Sequence, residues 1–482
     1  MNIKDLEPKV VWDYFHEITQ VPRPSKKENK IIKYIEDIAA KHKIAVEKDR
    51  AGNLLLSKPA TKGYEDRPTV ILQAHMDMVC EKNSSVQHDF DHDPIKTAVD
   101  GEWLRAEGTT LGADNGIGLA AALAVITSGE IEHGPLECLF TVDEETGLTG
   151  ANALEDGFLT GSILLNLDSE DEGQIFIGCA GGKGTVATFG YEAALPPASG
   201  QYFRITVTGL NGGHSGGDIH KGRGNANKIL VRFLYRLQKK YPFTLAAIEG
   251  GNLHNAIPRE AYAVIGISSE IREDVRIMLN HFAADIENEQ KGVDPDVRLI
   301  MESADTPETC LPDTLKKTLI YSLLACPHGV VSMSRDIAGL VETSTNLASV
   351  KMAGSTKIIV GTSQRSSTES EKNAVADQVA SVFLLAGAGV EHGEGYPGWK
   401  PNPDSKILNT AQESYRKLFG KDALITAIHA GLECGLFLEK YPSLDMISFG
   451  PTLRDVHSPD ERIEIKTVGL WWAHLLDILR NV

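Results

Sequence analysis

Cysteine is scarce in this chain. There are six in 482 residues, and Cys80, Cys138, Cys179, Cys310, Cys326 and Cys434 form no CxxC pair. That density is too low for a disulfide scaffold, and the spacing offers no thiolate zinc site. Reduced thiols filling core space are the simple reading. Basic residues are outnumbered, 48 Lys and Arg against 66 Asp and Glu, for a net charge of −18. Nucleic-acid backbones are held by clustered Lys and Arg, so this balance argues against a nucleic-acid partner. It leaves a metal open, because carboxylates are also ligands. No stretch approaches the roughly 18 apolar residues of a membrane span. The opening MNIKDLEPKVVWDYF mixes acids and bases, unlike a secretory signal. A soluble, cytoplasmic protein without a membrane partner is expected. Internal repeats and low-complexity tracts are missing as well. Against these absences the composition is that of a globular protein, 42% hydrophobic and 24% charged. At about 100–200 residues per domain, the length suggests two or three domains.

The first 180 or so residues alternate helix and strand signals. Ile31, Ile35 and Ile38 share a helical face within 26–42. Residues 69–74 (TVILQA), 136–142 (LECLFTV) and 163–167 (ILLNL) read as strands, and 116–127 (GIGLAAALAVIT) as a buried helix. This predicts an α/β layer with a mostly parallel central sheet flanked by helices. The middle has another texture. Residues 203–208 (FRITVT) alternate like a half-exposed strand, 225–240 form an amphipathic helix, and 261–268 and 357–362 are further strands. That suggests an α+β domain inserted into the first. Residues 395–403 (GYPGWKPNP) read as a stiff link, after which 405–419, 424–428, 445–449 and 464–480 resume the first pattern. The expected division is one domain over 1–182 and 396–482, interrupted by a second over 183–395.

Five segments place acids or histidines just beyond an apolar run. His75 and Asp77 follow the 69–74 strand; an imidazole can bind a metal while a nearby carboxylate orients it. Asp114 sits among Gly112, Gly116 and Gly118 at a helix start, where it serves equally as a cap or a ligand. Glu144 and Glu145 follow 136–142; they are ordinary surface acids, or a ligand beside a proton shuttle. Asp168 ends 163–167, and His457 lies in a proline-bounded loop after 445–449. Each signal is modest alone. Together they gather at the carboxyl edge of a sheet, where α/β proteins bind ligands. Oxygen and imidazole donors without thiolate suit zinc, or manganese or cobalt. Their number fits two metals sharing a carboxylate rather than one.

These segments resemble the motifs of the co-catalytic zinc dipeptidase and deacylase family: HMD at 75–77, GADNG at 112–116, EET at 144–146, NLDSE at 166–170 and GPTLRDVHSPDE at 450–461. Further similar stretches are CAGGKGT at 179–185, GLNGGHSGGDIHKGRGNANK at 209–228, NAIPRE at 255–260, YPGW at 396–399 and HAGLECGLF at 429–437. Within the family the similarity is greatest to members that cleave Xaa-His dipeptides.

The resemblance implies a cytosolic enzyme with two divalent metals, most simply zinc, and a dipeptide substrate such as β-alanyl-histidine. It implies that Asp114 bridges the metals. His75 and Asp168 complete one metal site, and Glu145 and His457 the other. Asp77 orients His75, and Glu144 is the general base. His214 would stabilise the oxyanion, arriving from the partner subunit in dimeric members, so a homodimer is expected. Asn255, Arg365 and Gly431 would hold the substrate carboxylate. Arg365 suits that task, because a guanidinium grips a carboxylate with two hydrogen bonds. His429 and Glu433 receive no role. Two rival functions stay open at this point. One is an N-acyl amino-acid deacylase using the same metals; the other is a non-catalytic peptide-binding protein, for which Glu144 has no use.

Overall fold

Apolar runs bounded by polar residues build the sheet that carries the site. All six residues of Val70–His75 are buried, as are all six of Leu136–Thr141. Both strands run parallel, side by side, with Ile163–Asn166 on the other flank of Val70–His75. Asp445–Ser448 adds a fourth parallel strand beside Ile163–Asn166. This is a computed structural model, and it describes residues 3–198 and 200–482. The full sheet has eight strands, in the order Ala45–Lys48, Leu54–Lys58, Leu136–Thr141, Val70–His75, Ile163–Asn166, Asp445–Ser448, Gln174–Cys179, Leu424–Ile428. The parallel arrangement belongs to the four central strands, and antiparallel partners flank them. The short connection between Ala45–Lys48 and Leu54–Lys58 permits only a hairpin, which is antiparallel. The helix Ala113–Thr127, apolar on every side, has all but two of its residues buried.

The chain forms two compact units, one of Met1–Gly178, Trp399–Ala427 and Leu432–Val482, the other of Cys179–Gly398 and Ile428–Gly431. The second unit is built on a nine-stranded sheet. Gln201–Thr208 alternates in burial, as a sheet with one solvated face requires. Helices Ala226–Lys240, Arg272–Gln290, Asp313–Ala325 and Glu369–Leu385 pack Leu230, Phe233, Phe282, Leu319 and Phe383 into one apolar core with the strands. The strand expected over 357–362 runs on to Ser366. Arg365 therefore lies inside a strand, paired with Gly182 on one side and Ser344 on the other, and not beyond its end. The polar run Thr362–Ser366 stays extended because its side chains bond within the sheet. Thr362 Oγ1 donates to the Thr185 carbonyl, and Gln364 donates to Thr345 and Thr362.

Candidate metal centre

Register brings the polar ends of the parallel strands level: His75 pairs with Thr141, Gln73 with Asn166, and Asn166 with Ser448. The residues just beyond these ends converge. Nε2 of His75 lies 3.0 Å from Oδ1 of Asp114 and 3.6 Å from Oδ1 of Asp168. Nε2 of His457 lies 3.1 Å from Oδ2 of Asp114 and 2.9 Å from Oε2 of Glu145. Asp114 thus turns one oxygen to each imidazole. Donor atoms of His75, Asp114 and Glu145 all lie within 4.8 Å of one another. Asp77, fully buried, has Oδ1 3.4 Å from Nδ1 of His75. It also accepts from Ser25 Oγ and from the backbone N–H groups of Glu144 and Glu145. One carboxylate therefore bonds the turn that carries the two glutamates and lies against the His75 ring. His457 sits in the hairpin between Leu453–Arg454 and Arg462–Glu464. Its φ is +61°, and Asp143, preceding the glutamates, has φ +49°. Non-glycine residues hold such backbones where the surroundings impose them, often at functional sites.

The donor set fits divalent metal. An imidazole nitrogen without a proton and a carboxylate oxygen both offer lone pairs, so each of these contacts needs a cation or a proton between its atoms. Burial would lower the pKa of His75, but Asp168, Asp114 and Asp77 raise it well above the ordinary value. His457 is raised likewise: burial opposes, and Asp114 and Glu145 prevail. Burial also pushes Asp168 and Glu144 upward, with neighbouring carboxylates adding to it. Oε1 of Glu145 is buried without a hydrogen-bond partner. Divalent cations would satisfy these atoms and displace the protons. A second acidic group, Glu28, Asp77 and Asp143, does not call for a metal. Its oxygens accept from Asp143 N, Thr146 Oγ1, Thr149 Oγ1 and Ser25 Oγ.

The other expected residues lie in the second unit. His214 Nδ1 accepts from the N–H groups of Gly216 and Gly217. The ring proton therefore belongs on Nε2, which faces Nη2 of Arg365 at 3.4 Å. Two donors so placed suit an anionic oxygen. His214 meets Arg365 within one chain. Nη1 of Arg365 donates to Tyr396 Oη at 2.8 Å. A Cβ on Gly431 would stand 2.8 Å from the Tyr396 ring, so that ring packs directly on the Gly431 backbone. Asn255 and His214 line a cleft of about 520 Å³. His429, buried, accepts from or donates to Ser344 Oγ at 2.7 Å. Burial, then Arg365 and His214, push it down to about 3, so it is neutral.

Sequence reasoning missed a buried polar row under the metal residues. Glu433 Oε2 accepts from Gln73 and Thr141 at 2.6 and 2.8 Å. Asn166 donates to Gln73, and Ser448 to Asn166. The signal was present as single polar residues within or at the ends of apolar strands. Tight packing joins two of the loops. A Cβ on Gly450 would stand 1.7 Å from the Ser169 carbonyl oxygen. Gly450→Ala should therefore force the Asp168 and His457 loops apart and cost about 1–3 kcal/mol or more, measured by denaturant unfolding.

The fold and this donor set are those of a metal-dependent hydrolase. Residues 71–480 match peptidase family M20/M25/M40, and the chain belongs to that family. It is 42% identical over 481 residues to the cytosol non-specific dipeptidase of Escherichia coli K12, covering 100% of this chain and 99% of that protein. The crystal structure of aminoacylhistidine dipeptidase from Vibrio alginolyticus superposes with a TM-score of 0.90 at 43% identity, covering 100% of this chain and 98% of that one. A tripeptidase from Staphylococcus aureus shares the fold at 18% identity, with a TM-score of 0.57 and coverage of 99% and 98%.

Proposed function

We propose that this peptidase is a cytosolic dipeptidase that uses two zinc ions and prefers Xaa-His dipeptides, β-alanyl-histidine among them. The observation that carries the reading is Asp114, whose two oxygens face two different imidazoles. Asp114 would bridge the ions, with His75 and Asp168 on one and Glu145 and His457 on the other. When bound, two such ions would supply Lewis acidity toward the scissile carbonyl and a water.

The chain's own residues do the rest. Asp77 holds the His75 ring with Nε2 toward the metal position. Glu144 takes a proton from the attacking water and delivers it to the leaving nitrogen. Its carboxyl is buried beside Asp168, Glu145 and Glu433, which with burial raise it in the metal-free chain, and a carboxylate at such a position can accept and release a proton. The Nε2–H of His214 donates to the developing oxyanion. Arg365, steadied by Tyr396, takes the substrate carboxylate, with Asn255 and Gly431 beside it. Catalytic and lid roles for the two units, and a homodimer, complete the reading. Similarity to the family supports them, and similarity to a cytosolic dipeptidase supports the location.

A panel of Xaa-His dipeptides, other dipeptides, a tripeptide and N-acetyl amino acids tests this. Fastest turnover of Xaa-His dipeptides is expected; preference for the N-acetyl compounds would make the enzyme a deacylase. Arg365→Met should lower kcat/KM for free dipeptides by about 10–100-fold, since a hydrogen bond to a charged group contributes about 1.5–3 kcal/mol. The loss should vanish with C-terminally amidated dipeptides. An equal loss on both would remove Arg365 from the carboxylate role.

A further inference from the structure

Glu461 closes the GPTLRDVHSPDE motif, four residues after His457, and no step of the hydrolysis engages it. Its carboxylate is 2% exposed. Oε2 accepts from the N–H groups of Leu111 and Gly112 at 2.7 and 3.0 Å. Oε1 accepts from Ala113 at 2.7 Å and from Asp114 itself at 3.4 Å. Four consecutive backbone donors thus close on one side chain from a distant part of the chain. An ordinary helix cap is local and takes one or two donors. Here Asp114 and Asn115 have non-helical dihedrals, so the cradle shapes the loop that presents Asp114.

The opposite face of that loop is held by the opposite charge. Arg23, also 2% exposed, donates to the Gly112 carbonyl and to the carbonyls of Met76 and Asp77. The Glu461 end is bonded within its own hairpin. Glu461 N donates to Ser458 O, and Arg462 pairs with Asp455 at 2.7 Å. A buried carboxylate so surrounded is fixed in place, and it ties the Asp114 loop to the His457 loop.

We propose that Glu461 is a positioning residue that sets Asp114 relative to His457, and so sets how both metal ions are held; this rests on the reading of Asp114 as the bridge. Glutamine at 461 keeps the size but turns an amide N–H₂ toward backbone N–H donors. Aspartate keeps the charge but falls one methylene short. Because the cradle acts on the bridging residue, both ions should loosen together, unlike the loss of one ion expected on removing His457.

Zinc binding to metal-free wild-type, Glu461→Gln and Glu461→Asp protein, measured against a competing chelator, tests this. The melting temperature of each metal-free protein and the visible spectrum of each cobalt-loaded protein complete the set. Both zinc ions are expected to weaken in parallel, by about 10–100-fold in Glu461→Gln, the usual effect of removing a group that orients a metal ligand. Glu461→Asp should lose less, the cobalt spectrum should shift, and kcat should fall with KM little changed. Where Glu461→Gln does not fold, the same readouts on Glu461→Asp decide. Wild-type affinity for both ions with an unchanged cobalt spectrum, whatever the melting temperature, would overturn the proposal and leave Glu461 as a stabiliser. Wild-type protein that binds fewer than two zinc ions would instead overturn the bridging reading itself, before any variant is compared.

Discussion

Glu144→Ala protein is expected to keep its fold and both metal ions while hydrolysing dipeptides about 10²–10⁴-fold more slowly, the usual contribution of a positioned acid–base group. The separation of effects comes from which atoms of Glu144 do what. Its backbone N–H donates to Asp77 Oδ1 at 3.1 Å, and alanine preserves that bond. The four-residue turn Glu144–Gly147 should therefore still deliver Glu145 to His457. Only the carboxyl is lost. Steady-state kinetics with elemental analysis of the same sample checks this. Near-normal turnover with full metal content would remove Glu144 from the proton-transfer role.

Asp114→Ala should have the larger structural effect on the site. It removes the oxygen nearest His75 and the oxygen 3.1 Å from His457 in one change. Metal content should fall from two ions per chain to less than one, with turnover at background. His457→Ala should cost one ion and leave the one held by His75 and Asp168. If Asp114→Ala loses only one ion, Asp114 belongs to a single site and the bridge is wrong.

Much of this was legible in the sequence because parallel strands are written as continuous apolar runs, and residues just past such a run lie at the ligand-binding edge. His75, Glu145 and Asp168 each stand at or just past the end of one, Asp114 opens the buried helix and His457 lies in a hairpin further on, and the structure gathers the five. The supports were not legible, for two physical reasons. Gln73 interrupts its strand and Asn166 and Ser448 end theirs as lone polar residues, and only lateral register makes them a row. Glu461 bonds to Leu111 across 350 residues, a contact with no local periodicity. Arg365 illustrates a third difficulty. Its strand continues through Thr362–Ser366 on side-chain hydrogen bonds, where hydropathy ends it.

A carboxylate-bridged pair of metal ions is expected to drive dipeptide hydrolysis by this chain. Titrating metal-free protein with zinc, while following both bound metal and β-alanyl-histidine hydrolysis in one series, tests it most directly. No hydrolysis without metal, and two ions bound at saturation with activity restored, is the expected result. Full activity in the metal-free protein, or saturation with no hydrolysis of any dipeptide, would contradict it.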